Sequence, residues 1–280
     1  MINRDLIKSY AKINLSLDVL GKYKNNLHKI QSIISYINLH DKISIKPIKK
    51  PNHIIKFNGP FSKNLKNNTI SKLLKILEKR KLIKKKYKIE TIKNIPQKSG
   101  LGGGSMNAAS ILSYFIKKKI VITSKNEIID ICNQIGSDVY LGLDRKNSIL
   151  LSNNKIKKFN TKIGLFVVLV KPNKGCSTKE IYGRVKKFSK KRIQISKKIF
   201  NVKALRSSKN DLEIPAFNIY PNLRKLKIFL SNVDQVKFVR MTGSGSTIVA
   251  YFSNKKSAIN ALKLAKKNFK NYWSILSKTI

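Results

Sequence analysis

Acidic residues are scarce in this chain, with 13 Asp and Glu against 60 Lys and Arg in 280 residues. Cysteine is also rare: two residues, Cys132 and Cys176, supply neither a disulfide framework nor a cysteine metal set. No apolar run approaches the roughly 20 residues that span a bilayer, and the start, Met1 to Asp5, lacks the apolar core of a signal peptide. These absences predict a cytoplasmic protein without a membrane partner.

The net charge of +47 is typical of proteins that bind nucleic acids. The basic residues, however, are spread along the whole chain, and no RNP aromatic signature, zinc-finger spacing or basic-zipper heptad accompanies them. We interpret the excess as the codon usage of an A/T-rich genome acting on surface positions, and we expect no specific nucleic-acid partner. A basic RNA-binding protein without catalysis is the alternative.

A glycine-rich segment lies just before a helical pattern, with four of the thirteen glycines in the five positions 100–104. Glycine backbones can curl their N–H groups around an anion, and the following helix adds its positive end. The spacing is neither a Walker loop nor a dinucleotide fingerprint. The segment predicts a phosphate site, with a flexible linker as the alternative; its residues are Pro96, Gln97, Lys98, Ser99, Gly100, Leu101, Gly102, Gly103, Gly104, Ser105 and Met106.

Residues 9–21 alternate between apolar and polar side chains, which predicts a half-buried strand. Lys12 and Asn14 share its polar face, about 7 Å apart at roughly 3.3 Å per residue. An ammonium and an amide in this arrangement can hold a phosphate and a hydroxyl. An ordinary solvated strand face is the alternative.

Asp138 follows a predicted helix that Ser124 and Glu127 begin and Gly136 ends. A carboxylate at such an ordered boundary is a candidate general base, with a turn or capping aspartate as the alternative. Further on, residues 236–252 predict a strand, a glycine turn at Thr242 to Ser246 and a second strand. That turn could offer its amides to an anion or serve only as a hairpin.

Taken in order, these segments resemble the GHMP kinase superfamily, and within it the kinases that phosphorylate the 2-hydroxyl of 4-diphosphocytidyl-2-C-methyl-D-erythritol. The resemblance spans nearly the whole chain. The residues that carry it are Ala11-Lys12-Ile13-Asn14-Leu15, His28 with Gln31, Asn94-Ile95-Pro96, Gly100 to Ser105, Gly136-Ser137-Asp138-Val139, Asn210-Asp211-Leu212-Glu213 and Met241 to Ser246.

The resemblance implies a role for each matched residue. Asp138 would accept the hydroxyl proton, and Lys12 would orient that hydroxyl and stabilise the transferred phosphoryl group. ATP would be the donor, with Mg²⁺ held by its phosphates, water and Ser105. The 96–106 segment together with Asn68 and Lys93 would bind ATP; the small-molecule substrate would contact Asn14, His28, Tyr182, Gly243, Ser244 and Gly245. Another GHMP kinase, acting on homoserine or a mevalonate-like alcohol, is the second alternative.

The mixture of strands and helices predicts an α+β fold. The resemblance implies two domains: residues 1–158 as a ribosomal protein S5 domain 2-like, ATP-binding domain, and residues 159–280 as a ferredoxin-like substrate domain. The chain departs from the family pattern at Leu27, Lys98, Ser99, Met106 and Tyr140. Because Leu27 replaces a common tyrosine beside His28, we predict weaker binding of the cytidyl group. The sequence does not indicate an oligomeric state.

Overall fold

A computed structural model describes residues 5–63, 65, 68–190 and 193–280. The strands are β1 (Asp5–Asn14), β2 (Asp18–Lys22), β3 (His28–Ile48), β4 (Ile54–Asn58), β5 (Lys86–Ile92), β6 (Asn147–Leu150), β7 (Ile156–Phe159), β8 (Phe166–Lys171), β9 (Phe238–Met241), β10 (Ile248–Phe252) and β11 (Trp273–Lys278). The helices are α1 (Thr69–Lys79), α2 (Gly103–Lys117), α3 (Lys125–Ile135), α4 (Val139–Gly142), α5 (Thr178–Gly183), α6 (Val202–Ser207), α7 (Glu213–Ile219), α8 (Pro221–Ser231) and α9 (Lys255–Asn268), with a 3-10 helix at Lys197–Phe200.

The chain divides into two compact units that are interleaved in sequence. The first unit comprises the described residues of Met1–Ala11, Leu39–Gln97 and Gly102–Arg145; the second comprises those of Lys12–Asn38, Lys98–Leu101 and Lys146–Ile280. Strands β1 and β3 and the glycine-rich segment therefore each contribute residues to both units. The boundary at 158/159 inferred from the resemblance describes a different division, and it stays a prediction.

In the first unit, β5 pairs antiparallel with the Lys42–Ile48 part of β3 and parallel with β4. Helix α1 begins where Asn68 Oδ1 accepts a hydrogen bond from the Ser71 N–H at 3.0 Å. The apolar spacing of α1 puts Leu73, Leu74 and Leu77 on one buried face. This face packs in a single core with buried residues of α2, α3, β3 and β5.

In the second unit, β8 to β11 form an antiparallel sheet in the order β11-β8-β10-β9. Helices connect β8 to β9 and β10 to β11, so this part has the β-α-β-β-α-β arrangement of a ferredoxin-like fold. Helix α9 packs on its core through Ala258, Ala261 and Ala265. The N-terminal part of β3 in the same unit pairs with β2 and β6.

Most predicted elements are present, and two differ from the prediction. The strand predicted over 9–21 is two strands, β1 and β2, separated by residues 15–17. It is also buried on both faces, since Lys12 and Asn14 are about as enclosed as Ala11 and Ile13. The polar face is buried because its side chains bond to one another and to neighbouring residues, as described below.

The sequence after Ser177 also predicts a helix to about Phe188, but helix α5 ends at Gly183. The following residues leave the helix axis and bond elsewhere; the Ser189 N–H, for example, donates to Val19 O at 2.8 Å. The sequence predicts further helices around 190–205, and this prediction falls partly on residues 191 and 192, which lie outside the described residues. No helix in the described ranges is long and apolar enough to cross a membrane.

Candidate active site

In the first unit, the glycine-rich segment opens helix α2. Gly102 precedes the helix at φ +69°, a left-handed conformation that favours glycine, and Gly103, Gly104 and Ser105 form the first turn. Thr69 Oγ1 donates to Gly104 O at 2.6 Å, which brings the N-terminus of α1 beside that of α2. Neither helix has an acidic residue in its first turn. Two positive helix ends thus lie together, and neither first turn carries a carboxylate, an arrangement suited to a phosphate group.

Lys93 lies directly behind this turn. It is 3% exposed, and its Nζ is 3.5 Å from the position that a Cβ on Gly103 would occupy. Its ammonium forms an ion pair with the fully buried Asp41. The other oxygen of Asp41 accepts hydrogen bonds from the N–H groups of Asn94 and Ile95 at 2.7 and 2.9 Å. Asp41 therefore holds both the lysine and the segment that leads into the glycines.

Asp138 lies in the same unit, between α3 and α4. Helix α3 begins and ends as predicted, with Ser124 Oγ accepting from Glu127 N at 3.2 Å and Gly136 following its last residue. A Cβ on Gly136 would lie 3.7 Å from Ser105 Oγ. The first turn of α2 and the segment that carries Asp138 are therefore adjacent. Asp138 itself is partly exposed at the start of α4.

In the second unit, Lys12 and Asn14 belong to one buried network. Asn14 Oδ1 accepts from Lys12 Nζ at 2.7 Å, and Asn14 Nδ2 donates to Ser32 Oγ at 2.7 Å. The backbone N–H of Asn14 donates to Thr242 Oγ1 at 3.0 Å. Lys12 is 5% exposed, and the Asn14 amide fixes the direction of its ammonium. The role predicted for Asn14, contact with the substrate, stays a prediction beside this observed role.

The first part of the glycine-rich segment, Lys98–Leu101, packs against the glycine turn at Thr242 to Ser246. A Cβ on Gly100 would lie only 2.1 Å from Thr242 O, and Gly100 has φ +75°. The Thr247 N–H donates to Ser99 O at 3.3 Å, and the Lys12 N–H donates to Leu101 O at 3.1 Å. The two glycine segments therefore meet backbone to backbone in this unit, and glycine is required at position 100.

His28 and Tyr182, both predicted to contact the substrate, lie together in the second unit. Their ring centroids are 4.9 Å apart with an angle of 41° between the planes. Burial, helped by the nearby Lys22 charge, lowers the pKa of His28 below its ordinary value, so the ring is neutral at pH 7. His28 Nε2 is buried and has no hydrogen-bond partner among the described residues.

The other predicted residues have diverse surroundings. Gln97 Nε2 donates to Phe61 O and Lys63 O, Lys98 is exposed at φ +47°, and Pro96 and Leu101 are buried. Ser244 Oγ lies 2.8 Å from Thr178 Oγ1, and Gly243 and Gly245 have positive φ. Met106 packs against Gly142, and its N–H donates within the helix to Gly102 O; its predicted part in ATP binding stays a prediction.

Several contributors were missed from the sequence, notably Asp41, Thr69, Ser32 and the side-chain role of Thr242, which was named only as part of the glycine turn. Each acts through a hydrogen bond to a residue far away in the chain, which no local pattern reveals. The rarity of aspartate among so many lysines could have drawn attention to Asp41, although it lies 53 residues before Asn94, the first residue of the motif that it supports. No group of three His, Cys, Asp or Glu suited to a metal ion occurs within the ranges that the structure describes.

Comparison with known proteins agrees with these features. The family model for the N-terminal domain of GHMP kinases matches residues 68–144, and the model for the GHMP kinase C-terminal domain matches residues 196–271. The chain is 53% identical to the 4-diphosphocytidyl-2-C-methyl-D-erythritol kinase of Pelagibacter ubique over 100% of both chains. It is 33% identical to the enzyme of that name from Clostridium kluyveri over 90% of this chain and 92% of the relative.

A solved structure shows the same fold. The crystal structure of a 4-(cytidine 5'-diphospho)-2C-methyl-D-erythritol kinase superposes with a TM-score of 0.77 at 22% identity, covering 98% of this chain and 99% of the other. The predicted α+β, two-domain fold is therefore confirmed. On the two family models and the full-length identity to these relatives, the chain belongs to the GHMP kinases, a family of ATP-dependent kinases, and within it to the 4-diphosphocytidyl-2-C-methyl-D-erythritol kinases.

Proposed function

We propose that this chain transfers the γ-phosphoryl group of ATP to the 2-hydroxyl of 4-diphosphocytidyl-2-C-methyl-D-erythritol, giving the 2-phosphate and ADP in the non-mevalonate route to isoprenoid precursors. The observation that carries the proposal is the 53% identity to a kinase of that name over the full length of both chains. We place the reaction in the cytoplasm.

In this reaction the substrate oxygen forms a bond to the γ-phosphorus while the bond from that phosphorus to the β–γ bridging oxygen breaks. Asp138 accepts the proton of the hydroxyl, and Lys12 orients the oxygen and stabilises charge on the transferred group. Phosphoryl transfer passes through a loose transition state, so positioning and charge stabilisation supply most of the catalysis. The Asn14 amide supports this role of Lys12, because it holds the ammonium in one direction.

The first turn of α2 receives the phosphates of ATP, and Lys93 and Asn68 line the nucleoside side. The paired N-termini of α1 and α2, free of acidic residues in their first turns, support this assignment. Mg²⁺ fits a site of this composition through Ser105 Oγ together with phosphate oxygens and water, since this ion commonly keeps several waters and binds mainly through substrate phosphates. Bound there, it neutralises charge on the phosphates.

The pair of His28 and Tyr182 favours a cytidyl substrate over homoserine or a mevalonate-like alcohol. A neutral histidine whose buried nitrogen has no partner in the described part of the chain can exchange a hydrogen bond with a pyrimidine, and the tyrosine ring offers a stacking face. The alternative substrates carry no base for these side chains to recognise.

The test is a mass-spectrometric assay with Mg·ATP and either 4-diphosphocytidyl-methylerythritol, homoserine or mevalonate. We expect the 2-phosphate from the first substrate alone. Asp138→Asn removes the proton acceptor, so kcat should fall by about 10²–10⁴-fold. Asp234→Asn, which also removes one carboxylate but at an exposed position, is the matched control and should keep wild-type kcat. Turnover of homoserine or mevalonate alone would reject the proposed substrate.

A further inference from the structure

One motif of this chain has no part in the chemistry above: Asn210-Asp211-Leu212-Glu213, which follows α6 and ends at the first residue of α7. Asn210 is 3% exposed and Glu213 is 8% exposed. Both side chains are polar and lie in the second unit, and the reaction proposed above uses neither of them. Buried polar groups of this kind are normally hydrogen-bonded, and those bonds have a structural or functional role.

Every polar atom of the Asn210 side chain is used. Nδ2 donates to Met241 O and to Gly243 O, both at 2.8 Å, and Oδ1 accepts from the Leu212 N–H at 3.0 Å. These bonds fix the orientation of the amide, because reversing it would set Oδ1 against two carbonyl oxygens. One side chain thus forms hydrogen bonds to the backbone of the glycine turn on both sides of Thr242.

Two neighbours hold Asn210 and the turn in the same register. Glu213 Oε1 accepts from the Met241 N–H at 2.8 Å, and Glu213 Oε2 pairs with Lys227 Nζ at 2.5 Å. The backbone of Leu17, three residues after Asn14, bonds to both sequence neighbours of Asn210. The Leu17 N–H donates to Lys209 O, and Leu17 O accepts from the Asp211 N–H. The motif is therefore bonded both to the chain that follows β1 and to the turn after β9.

The same glycine turn forms hydrogen bonds to groups of the proposed active site. Thr242 Oγ1 accepts from Asn14 N at 3.0 Å and donates to Gly100 O at 3.2 Å. Asn14 is the residue that holds Lys12 Nζ, and Gly100 belongs to the glycine-rich segment. A shift of Thr242 would therefore disturb the direction of the lysine and the backbone of that segment together.

We propose that Asn210 is a positioning residue of the kinase: its amide fixes the Thr242 to Ser246 turn, and through Thr242 it aligns Lys12 and the glycine-rich segment for phosphoryl transfer. The expected effect on kinetics rests on the proposed function. The hydrogen bonds of Asn210 to the turn do not depend on that function. Asn210 touches neither reacting group; it acts through the turn.

Asn210→Asp is the sharpest variant. It keeps the volume of the side chain and the acceptor for Leu212 N, and it replaces the two donated bonds with an oxygen facing two carbonyl oxygens. Asn268→Asp is the matched control, since it also loses one amide bond to a backbone carbonyl, Leu264 O, but at an exposed position on α9. Asn210→Ala removes the donors without adding the repulsion.

Kinetics distinguish positioning from a merely structural role. At temperatures well below the unfolding midpoint, we expect kcat/KM for 4-diphosphocytidyl-methylerythritol to fall at least tenfold in Asn210→Asp, with part of the loss in kcat, less in Asn210→Ala, and less than twofold in Asn268→Asp. A lowered unfolding midpoint with unchanged kcat and KM would overturn the proposal. A loss in Asn210→Ala greater than in Asn210→Asp would also overturn it, because lost volume would then explain the effect.

Amide hydrogen exchange gives a readout that does not depend on the substrate. In the wild type, the Gly245 N–H, which donates to Thr242 O at 2.9 Å, should exchange slowly, and Asn210→Asp should speed exchange in the 241–247 peptide but not in α9. Exchange in that wild-type peptide as fast as in the turn at 152–155 would overturn the positioning role even if no Asn210 variant folds. A wild type that phosphorylates no alcohol while the exchange result holds would reject the proposed function only.

Discussion

A single exposed side chain, Leu27, offers a test of base recognition. It precedes His28, the histidine that packs against Tyr182, and it is 64% exposed. An aromatic face against a base contributes roughly 1–3 kcal/mol, so Leu27→Tyr should lower the KM for the cytidyl substrate by about tenfold and leave the KM for ATP unchanged. Steady-state kinetics with each substrate varied in turn would measure both.

Leu6→Tyr is the matched control for this change, because Leu6 is 66% exposed in the first unit. It should leave both KM values as they are. An unchanged KM for the cytidyl substrate in Leu27→Tyr would mean that residue 27 takes no part in binding the base. The weaker cytidyl binding predicted from the sequence would then have no basis.

At the residue scale, the sequence identified the chemistry but not the partners. Lys12, Asn14, Asp138 and the glycines could be selected because their residue types suit phosphate and proton transfer. The bonds that hold them, such as Asn14 to Ser32 and Lys93 to Asp41, join positions 18 and 52 residues apart. No periodicity encodes such pairs, so the half-buried strand predicted over residues 9–21 was wrong in its burial although right in its polar residues.

At the scale of elements, the contact between two glycine segments makes a strong prediction. Gly100→Ala would place a Cβ 2.1 Å from Thr242 O at a φ of +75°, so the two backbones must separate. Overpacking costs about 1–3 kcal/mol and the left-handed conformation about 1–2 kcal/mol. We expect the free energy of unfolding to fall by about 2–5 kcal/mol in urea denaturation, with kinase activity below detection.

Gly183→Ala is the control for that experiment. Gly183 ends α5, and a Cβ there would meet nothing within 4 Å. Stability should stay within about 1 kcal/mol of wild type or rise slightly, because alanine restricts the unfolded chain more than glycine does. Equal effects of the two substitutions would show that the close approach at Gly100 is not a constraint in solution.

Elements with strong local signals were predictable, and those decided by distant contacts were not. Ser124, Glu127 and Gly136 mark both ends of α3, and the structure has them there. The end of α5 depends on where the following chain bonds, since Ser189 reaches back to Val19. The ferredoxin-like order β11-β8-β10-β9 agrees with what the family implied, whereas the interleaving of the two units in sequence has no local signature.

At the scale of the whole molecule, the net charge of +47 should weaken the folded state at low salt. Thirteen acidic residues can neutralise only a small part of 60 basic ones, so compaction brings like charges together. Salt screens this repulsion beyond a Debye length of about 10 Å at 0.1 M. We expect the thermal midpoint to rise by several degrees between about 10 and 300 mM KCl in calorimetry.

Surface ion pairs respond in the opposite direction, since salt weakens pairs such as Arg80 with Glu127. Equal osmolarity of sucrose serves as the control, because it does not screen charge. A midpoint that falls with KCl would mean that such pairs outweigh the overall repulsion.

The pairing of Ile37 with Thr279 joins residues that are made at very different times. On a ribosome that adds about 5–20 amino acids per second, Ile37 is added roughly 12–50 seconds before its partner. Strand β8 likewise cannot complete its pairing until β11, which pairs along its full length, has been made. The second unit therefore has high contact order and can complete its pairing only after residues 273–279 have been made, so we expect it to fold late during translation.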